Sequence, residues 1–203
     1  MNEFTVACVL RSGGDFTPHH VAGLRDQVAH FMPEARFVCL SDVLVPCDRL
    51  PLVSTLPGWW AKLELFQAFS RALYLDLDTV LVARPDALIG AGKFCMIGDW
   101  IQGRLISSCM YWEGDYSRLY RNIDQRKMRR YSNFKDKRHW GDQGYIQDEI
   151  GGLVTPFPAG VVRSYKKHCK ERIPEGTQVV AFHGQPRPWS VDVPEHFRKW
   201  WKK

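Results

Sequence analysis

The run Leu73–Val82, with the sequence LYLDLDTVLV, constrains the fold most, because it is apolar and yet carries two carboxylates. Apolar runs of this length are typical of a buried strand, whose side chains alternate between the two faces of a sheet. Asp76 and Asp78 are two residues apart, so we expect them to share one face. Neighbouring carboxylates repel each other and are costly to bury without a cation or hydrogen-bond donors. The run therefore predicts a divalent metal site at the C-terminal end of a central strand.

The metal expected there is Mg²⁺ or Mn²⁺, which one or two carboxylates commonly hold while substrate phosphates complete the coordination. The pattern Asp-x-Asp is weak by itself, because 14 aspartates in 203 residues give about one such pattern by chance. Its position inside an apolar run is what distinguishes it. The alternative is a strand that runs out into a loop, where both acids face water.

The beginning of the chain has the pattern of a parallel strand–helix–strand unit. A strand is predicted over Phe4–Leu10, then a helix that Thr17 caps and that ends near Met32, then a second strand over Phe37–Leu40. Ligands of such sheets bind outside the carboxyl ends of the strands. The loop Arg11–Gly14 is therefore a candidate rim of a binding pocket.

A helix is predicted over Gly58–Phe69, just before the acidic run. It is apolar nearly all round, with Trp59, Leu63 and Phe66 on one stripe, which indicates a place in the core. Lys62 is the exception, and a cation in an otherwise apolar helix just before the acidic run is conspicuous. The alternative is a lysine whose ammonium reaches water along its aliphatic stem.

The later part of the chain predicts more short elements. Strands are expected at 93–97, 105–112 and 179–182, and a helix at 145–150. The last strand runs into the segment His183–Trp189, where two prolines fix the backbone around Arg187. His183 is a candidate second metal ligand at the end of another strand, and the alternative is an ordinary surface or core histidine.

Length and composition fit one domain over residues 1–203 with a real core. The hydrophobic content of 45% excludes a disordered chain. No apolar segment approaches the roughly 20 residues of a membrane helix, and the start has no leader pattern, so we expect a cytoplasmic protein. The six cysteines form no C-x-x-C pair and are predicted to be core residues, with no disulfide or zinc site.

The net charge of +6 favours an anionic partner, such as a nucleotide, a lipid surface or nucleic acid. Arg118–Arg138 holds nine basic residues against two acids, which suits phosphate-bearing ligands, although a solvated helix or loop is the favoured interpretation. The tail at 196–203 alternates aromatic residues with cations. It predicts either peripheral contact with the inner membrane face or tryptophans folded back on the core.

Several of these residues together resemble a known family. The matching positions, in chain order, are Lys62, Asp76-Leu77-Asp78, Asp142-Gln143 and His183-Gly184-x-x-Arg187-Pro188-Trp189. They resemble family 8 glycosyltransferases, the group of glycogenin and the bacterial lipooligosaccharide galactosyltransferases, from Phe4 to about Trp189. The resemblance implies an α/β GT-A fold in a single domain, with a Rossmann-like, mostly parallel central sheet flanked by helices. It also implies a nucleotide-sugar donor and Mn²⁺.

The resemblance implies a role for each matching residue. Asp76 would contact the ribose and the metal, and Asp78 would ligate the metal directly. Lys62 would hold the donor sugar or its diphosphate, and Asp142 and Gln143 would lie beside the transferred sugar.

Two loops hold the remaining candidate donor contacts, namely the loop after the first strand and the segment His183–Trp189. Arg187 stands where the family has a lysine on the diphosphate, and its planar fork suits phosphate. Arg11 and Gly184 are the other candidate donor contacts. The family's metal histidine aligns with Ala181. If the segment is still a strand there, His183 would reach the cation from one step along the same face, and if it has already turned, His183 would bind a phosphate or no ligand.

The implied reaction moves a hexose from a UDP-sugar, UDP-glucose or UDP-galactose, to a hydroxyl of a saccharide, glycolipid or protein, with retention of configuration. A metal, Lys62 and Arg187 would stabilise the departing diphosphate. We favour front-face attack, with the leaving phosphate taking the acceptor's proton, over attack by Asp142 or Gln143.

Two alternatives use the same residues differently. A metal-dependent nucleotidyl or phosphoryl transferase would use the same acids to cleave a P–O bond. A non-catalytic anion-binding module would bind through the basic segment or the tail, with salt-sensitive affinity and no turnover. Nucleic acid is not the partner that the combined motifs favour.

Overall fold

The computed structural model describes residues 4–98, 100, 104–132 and 140–201. Its strands are β1 (Thr5–Leu10), β2 (Arg36–Ser41), β3 (Asp48–Pro51), β4 (Arg71–Leu75), β5 (Thr79–Leu81), β6 (Phe94–Gly98), β7 (Leu105–Glu113), β8 (Thr155–Pro156), β9 (Val162–Ser164) and β10 (Val179–Ala181). Its α-helices are α1 (Pro18–Phe31), α2 (Leu65–Ala68), α3 (Arg118–Arg121), α4 (Gln125–Tyr131), α5 (Gly141–Ile150) and α6 (Glu195–Arg198). The 3₁₀ helices are Gly58–Glu64, Asp86–Leu88, Gly151–Leu153 and Lys199–Trp201, and Tyr165–Cys169 is a π-helix.

Seven of the described strands form one central sheet in the order β3-β2-β1-β4-β7-β6-β8. The pairs β2–β3, β1–β2, β1–β4 and β6–β8 are parallel, and β7 runs antiparallel to both of its neighbours. The predicted α/β class with a mostly parallel sheet is therefore confirmed. Because β1 to β4 run in one direction, their carboxyl ends meet at one edge of the sheet.

The unit β1-α1-β2 forms as the sequence predicted. Thr17 is the N-cap of α1 in extended backbone, Pro18 is its first residue, and Met32 ends it. Pro is favoured at this first position because its missing N–H has no partner inside a helix. Val21, Leu24 and Val28 recur at helical spacing and are fully buried against the sheet. This packing fixes the loop 11–16 at the carboxyl end of β1.

The core lies on both faces of the central sheet. In β4, Leu73 and Leu75 face the cluster that includes α1, while Ala72 and Tyr74 face the cluster that includes the 58–68 helices and α5. The strand thus alternates between two apolar layers, which explains why its sequence is apolar at nearly every position.

The run Leu73–Val82 is not one strand, contrary to the sequence prediction. β4 ends at Leu75, a turn follows, and β5 begins at Thr79 and pairs antiparallel with β10 in a second, three-stranded sheet. The Thr79 amide donates to the Asp76 carbonyl at 3.0 Å, which closes the turn. Both strands are buried, so hydrophobic periodicity alone does not reveal the break. The two acids nevertheless lie at the carboxyl end of a central strand, as predicted.

The predicted helix over 58–69 is a 3₁₀ helix that continues as α2. Leu63 and Phe66 are buried as expected, but Trp59 is 45% exposed and Trp60 takes the core position. A 3₁₀ helix has three residues per turn, so the face that each residue occupies differs from the one that an α-helical stripe predicts.

The C-terminal segment folds back on α1. Trp201 is 6% exposed, and a Cβ on Gly23 would lie 2.3 Å from its Nε1 atom, so α1 and Trp201 are in close contact. Trp200 is partly buried against the apolar cluster that includes Phe182, Phe197 and Trp201. The packing of Trp201 agrees with the folded-back alternative, and the peripheral membrane contact stays a prediction. In the described part of the chain, no helix has the length and hydropathy to cross a membrane.

Two other sequence predictions concern the cysteines and the basic segment. All six cysteines are free thiols. Five of them are buried, as predicted for core residues, whereas Cys47 is half-buried. The part of Arg118–Arg138 that the structure describes forms α3 and α4, while residues 133–139 lie outside the described residues.

Candidate functional site

A pocket of about 610 Å³ opens at the carboxyl ends of β1 and β4. All the site residues that the sequence predicted line it, namely Arg11, Lys62, Asp76, Asp78, Asp142, Gln143, His183, Gly184 and Arg187. These residues come from five separate segments of the chain. The structure therefore brings together every predicted position, while the role of each stays a prediction.

Lys62 lies at the centre of a buried charge cluster on one side of the pocket. Its Nζ atom is 3.2 Å from the Asp76 carboxylate, 3.2 Å from the Asp142 carboxylate and 3.4 Å from the Ser107 hydroxyl oxygen. An ammonium has three N–H donors, so these three acceptors satisfy it. Lys62 is 5% exposed and does not extend to water, contrary to the alternative interpretation of the sequence.

Two hydroxyl groups complete this cluster. The Ser107 hydroxyl donates to Asp142 at 2.5 Å, and the Tyr74 hydroxyl donates to Asp76. Burial and the neighbouring Asp76 carboxylate raise the pKa of Tyr74 well above its ordinary value, so this hydroxyl keeps its proton. Each carboxylate thus has a cation and a hydroxyl donor, which compensates for its removal from water.

The charge on Lys62 is fixed by this arrangement. Burial alone would lower the pKa of Lys62, but the Asp142 and Asp76 carboxylates together outweigh it and raise the pKa above the ordinary value. Lys62 is therefore an ammonium throughout the neutral range. In this structure all of its donors are used by protein groups, so contact with a diphosphate stays a prediction.

Arg187 forms the second charged centre, on the other side of the acidic turn. Its Nη1 atom donates to Asp78 in an ion pair whose side chains are 17% and 7% exposed, and its Nη2 atom is 3.5 Å from Asp15. The guanidinium also lies over the Phe16 ring at 5.0 Å, a favourable cation–π geometry. Burial raises the pKa of Asp78 to about 7, Asp76 adds to the rise, and Arg187 offsets part of it.

His183 lines the same pocket. Its Nε2 atom is 2.8 Å from the Ser164 hydroxyl, and its ring stacks on Trp100 with centroids 6.0 Å apart. Burial and the nearby Lys166 and Lys167 ammonium groups lower its pKa, so the ring is neutral at pH 7. A neutral imidazole is the form that binds a metal.

The donor set of the pocket fits a cation that arrives with a substrate phosphate. Among the described residues, no three His, Cys, Asp or Glu side chains converge as ligands of one metal ion. Asp76 and Asp78 remain, and one or two carboxylates with substrate phosphates are the usual ligands of Mg²⁺. His183 is not gathered with both aspartates, so its place as a third ligand stays a prediction.

Arg11 holds the rim of the pocket. Its Nη1 atom is 3.3 Å from Asp42, and its Nη2 atom donates to the Ser54 carbonyl. The Ser12 amide and hydroxyl also donate to Asp42, each at 2.8 Å. The carboxyl ends of β1 and β2 are thereby joined, as the strand–helix–strand prediction for this rim requires.

Asp142 and Gln143 lie in the first turn of α5, which begins at Gly141 and not near Tyr145 as predicted. Gly141 has φ = +74°, a conformation that other residues rarely adopt. Two glycines in this stretch weaken its helical signal in the sequence. The helix N-terminus is favourable for the Asp142 carboxylate because of the helix dipole.

Sequence reasoning did not assign roles to several other residues of the pocket: Asp15, Phe16, Trp59, Tyr74, Ser107 and Trp140. Asp15 and Phe16 lie in the loop after the first strand, so the expectation that ligands bind at the carboxyl ends of strands could have identified them. Tyr74 and Ser107 are on strands, where single polar residues give no functional signal.

The fold is similar to that of several solved glycosyltransferases. The glycosyltransferase GlyE of Streptococcus pneumoniae TIGR4 has a TM-score of 0.68 at 12% identity, over 98% of this chain and 59% of that one. The galactosyltransferase LgtC in complex with donor and acceptor sugar analogs has a TM-score of 0.65 at 15% identity, over 98% and 95%. A glycosyltransferase involved in glycosylation of the major capsid of PBCV-1 has 0.61 at 11%, over 97% and 99%.

These similarities are structural and cover nearly the whole chain, which spans only 59% of the GlyE structure. No protein-family model matches the sequence, and no curated protein matches it. At identities this low, the similarity speaks for the fold. The chain therefore has the GT-A-like fold that the sequence predicted.

Proposed function

We propose that this protein is a glycosyltransferase that moves a hexose from a UDP-sugar to an acceptor hydroxyl, with Mn²⁺ or Mg²⁺ and retention of configuration. The observation that carries the proposal is that Asp76 and Asp78, the buried Lys62, the half-buried Arg187 and the Asp142–Gln143 pair all line one pocket. Its volume of about 610 Å³ is within the usual range for ligand pockets. UDP-glucose and UDP-galactose are the donors we favour.

Arg187 is suited to the leaving diphosphate. Its planar fork matches phosphate oxygens, and a guanidinium keeps its charge at any physiological pH. In a pocket that excludes water, a fixed positive charge stabilises a departing anion strongly. A bound divalent cation, held by Asp76 and Asp78, would supply further charge stabilisation for the same diphosphate.

Lys62 acts on the reaction by fixing two carboxylates. Its Nζ atom lies 3.2 Å from the Asp76 carboxylate and 3.2 Å from the Asp142 carboxylate. This keeps Asp142 beside Gln143 at the wall of the pocket, where a negative charge would favour positive charge on the transferred sugar. No side chain is assigned as a nucleophile, so the acceptor attacks from the side that the diphosphate leaves, and a phosphate oxygen takes its proton.

The test is to incubate the protein with Mn²⁺ and a panel of sugar nucleotides and to identify the products. We expect UDP release from one or two donors. Release of UMP would instead indicate P–O cleavage by a phosphoryl or nucleotidyl transferase. Metal-free, salt-sensitive binding with no turnover would support a binding module.

Replacement of Asp142 by Asn tests the sugar-side assignment. We expect turnover to fall by about 10²- to 10³-fold, because a buried charge next to the reacting carbon is lost while the shape is kept. Asp148→Asn is the matched control, since Asp148 lies on the same helix but contacts Tyr131 and not the pocket. Equal turnover in the two variants would exclude a role for Asp142.

A further inference from the structure

The ion pair between Arg187 and Asp78 links the two groups that are expected to bind different parts of the donor. Arg187 is expected on the diphosphate, and Asp78 on the divalent cation. Here they contact each other directly, and both side chains are largely buried at 17% and 7% exposed. The cation that pairs with Asp78 in this structure is therefore the Arg187 guanidinium.

A guanidinium and a divalent cation cannot both use this position. Like charges a few ångströms apart repel strongly where water is excluded. Arg187 also occupies one of the two carboxylate oxygens that Asp78 could offer to a metal. Cation binding at Asp78 therefore requires Arg187 to leave.

The other contacts of Arg187 indicate that it can leave. Asp15, its second partner, is 3.5 Å away on a side chain that is 80% exposed, which makes a weak ion pair. The Phe16 ring attracts the guanidinium that lies over it, but a ring face does not fix the direction of the N–H groups. The Nε–H group is buried and has no hydrogen-bond partner among the described residues. The guanidinium therefore has a donor without an acceptor, and a diphosphate would supply oxygen acceptors for it.

We propose that Arg187 occupies the cation position on Asp78 until a nucleoside diphosphate draws it away. The free protein then has low affinity for divalent cations, and the diphosphate and the cation bind cooperatively. The identity of the diphosphate rests on the proposed function. The competition between Arg187 and a divalent cation for Asp78 does not, because it involves only the ion pair and the cation.

The experiment is a calorimetric or electron paramagnetic resonance titration of the nucleotide-free protein with Mn²⁺ at pH 8. Arg187→Gln removes the competing charge and keeps most of the side-chain length. We expect it to bind one Mn²⁺ at least tenfold more tightly than the wild type. In the double variant with Asp78→Asn, this gain should be lost.

Arg84→Gln is the matched control for the loss of one arginine from an ion pair. Arg84 pairs with Glu34 and Asp86 outside the pocket, so its replacement should change Mn²⁺ affinity less than twofold. Thermal unfolding of each variant verifies that it is folded. Arg187→Lys serves as a second variant, and its shorter side chain should give a smaller gain, of about threefold or more.

The proposal is overturned if Mn²⁺ binds equally tightly, within twofold, to the wild type and to both Arg187 variants. It is also overturned if Arg84→Gln gives the same gain as Arg187→Gln. Failure of the proposed function would be seen elsewhere, as the absence of sugar-nucleotide turnover in a wild-type protein whose Arg187 variants still gain Mn²⁺ affinity.

Discussion

Replacement of Lys62 by Met tests whether the buried ammonium holds the acidic side of the pocket together. Met keeps the length of the lysine stem, so packing changes little, but Asp76 and Asp142 lose their shared cation. Loss of one partner from a buried ion pair costs about 3–5 kcal/mol, because a charge remains without compensation.

The exposures of the two carboxylates decide where in this range the effect falls. Asp142 is 9% exposed and carries most of the penalty, while Asp76 is 30% exposed and keeps contact with water. We therefore expect the lower end, about 3 kcal/mol of lost unfolding free energy. For a domain of this size that corresponds to a fall in Tm of about 6–12 °C.

The measurement is thermal or urea unfolding of the wild type and of Lys62→Met between pH 7 and pH 9. The pKa of Lys62 is raised above its ordinary value, so its stabilising effect is complete at lower pH and is lost only as the pH rises through that raised pKa. The difference between the two proteins should therefore be constant over this range.

Lys93→Met is the matched control, because Lys93 pairs with Glu113 at 3.6 Å on the surface, with side chains 76% and 46% exposed. Exposed pairs contribute little, so this variant should unfold close to the wild type. If Lys62→Met unfolded at the same temperature as Lys93→Met, the two buried carboxylates would have another source of compensation.

Further predictions concern α1 and the π-helix. Gly23→Ala places a Cβ 2.3 Å from Trp201 and should cost about 1–3 kcal/mol in urea unfolding, whereas Gly152→Ala, with open space around it, should be nearly neutral. Equal stability of the two would show that Trp201 moves aside freely. His168 accepts the Ser164 amide through Nδ1, and burial, Arg163 and Lys167 lower its pKa. The unfolded state then binds more protons below about pH 6.5, so stability should fall from pH 7 to pH 5. His168→Gln should make this fall shallower, and an unchanged slope would contradict the assignment.

Much of the candidate site was predictable because ligands of parallel sheets bind at the carboxyl ends of the strands. Asp76 follows β4 and the loop at Arg11 follows β1, and parallel neighbouring strands bring such positions to one edge whatever the details of packing. The helix α1 was equally predictable, because Thr17 and Pro18 are local start signals and need no tertiary information.

The features that the sequence did not predict depend on contacts between distant residues. Ser107 bonds Asp142 and Lys62 across 35 and 45 positions, and nothing in its own strand marks it for that role. Trp59 is exposed because its segment is a 3₁₀ helix. Over so few residues, hydrophobic spacing does not distinguish the period of a 3₁₀ helix from that of an α-helix. The break at Asp76–Asp78 was hidden because buried residues surround it on both sides.

The contact between α1 and Trp201 has a consequence for the order in which the chain matures during synthesis. His19 on α1 is bound to the Trp201 carbonyl at 2.9 Å, and Trp189 packs between Trp201 and Phe16, the ring beneath Arg187. A ribosome releases α1 early and its partners some 180 residues later. The nascent chain can therefore build the central sheet while Phe16 still lacks Trp189, and the ring beneath Arg187 is fully packed only after Trp189 and Trp201 have been made.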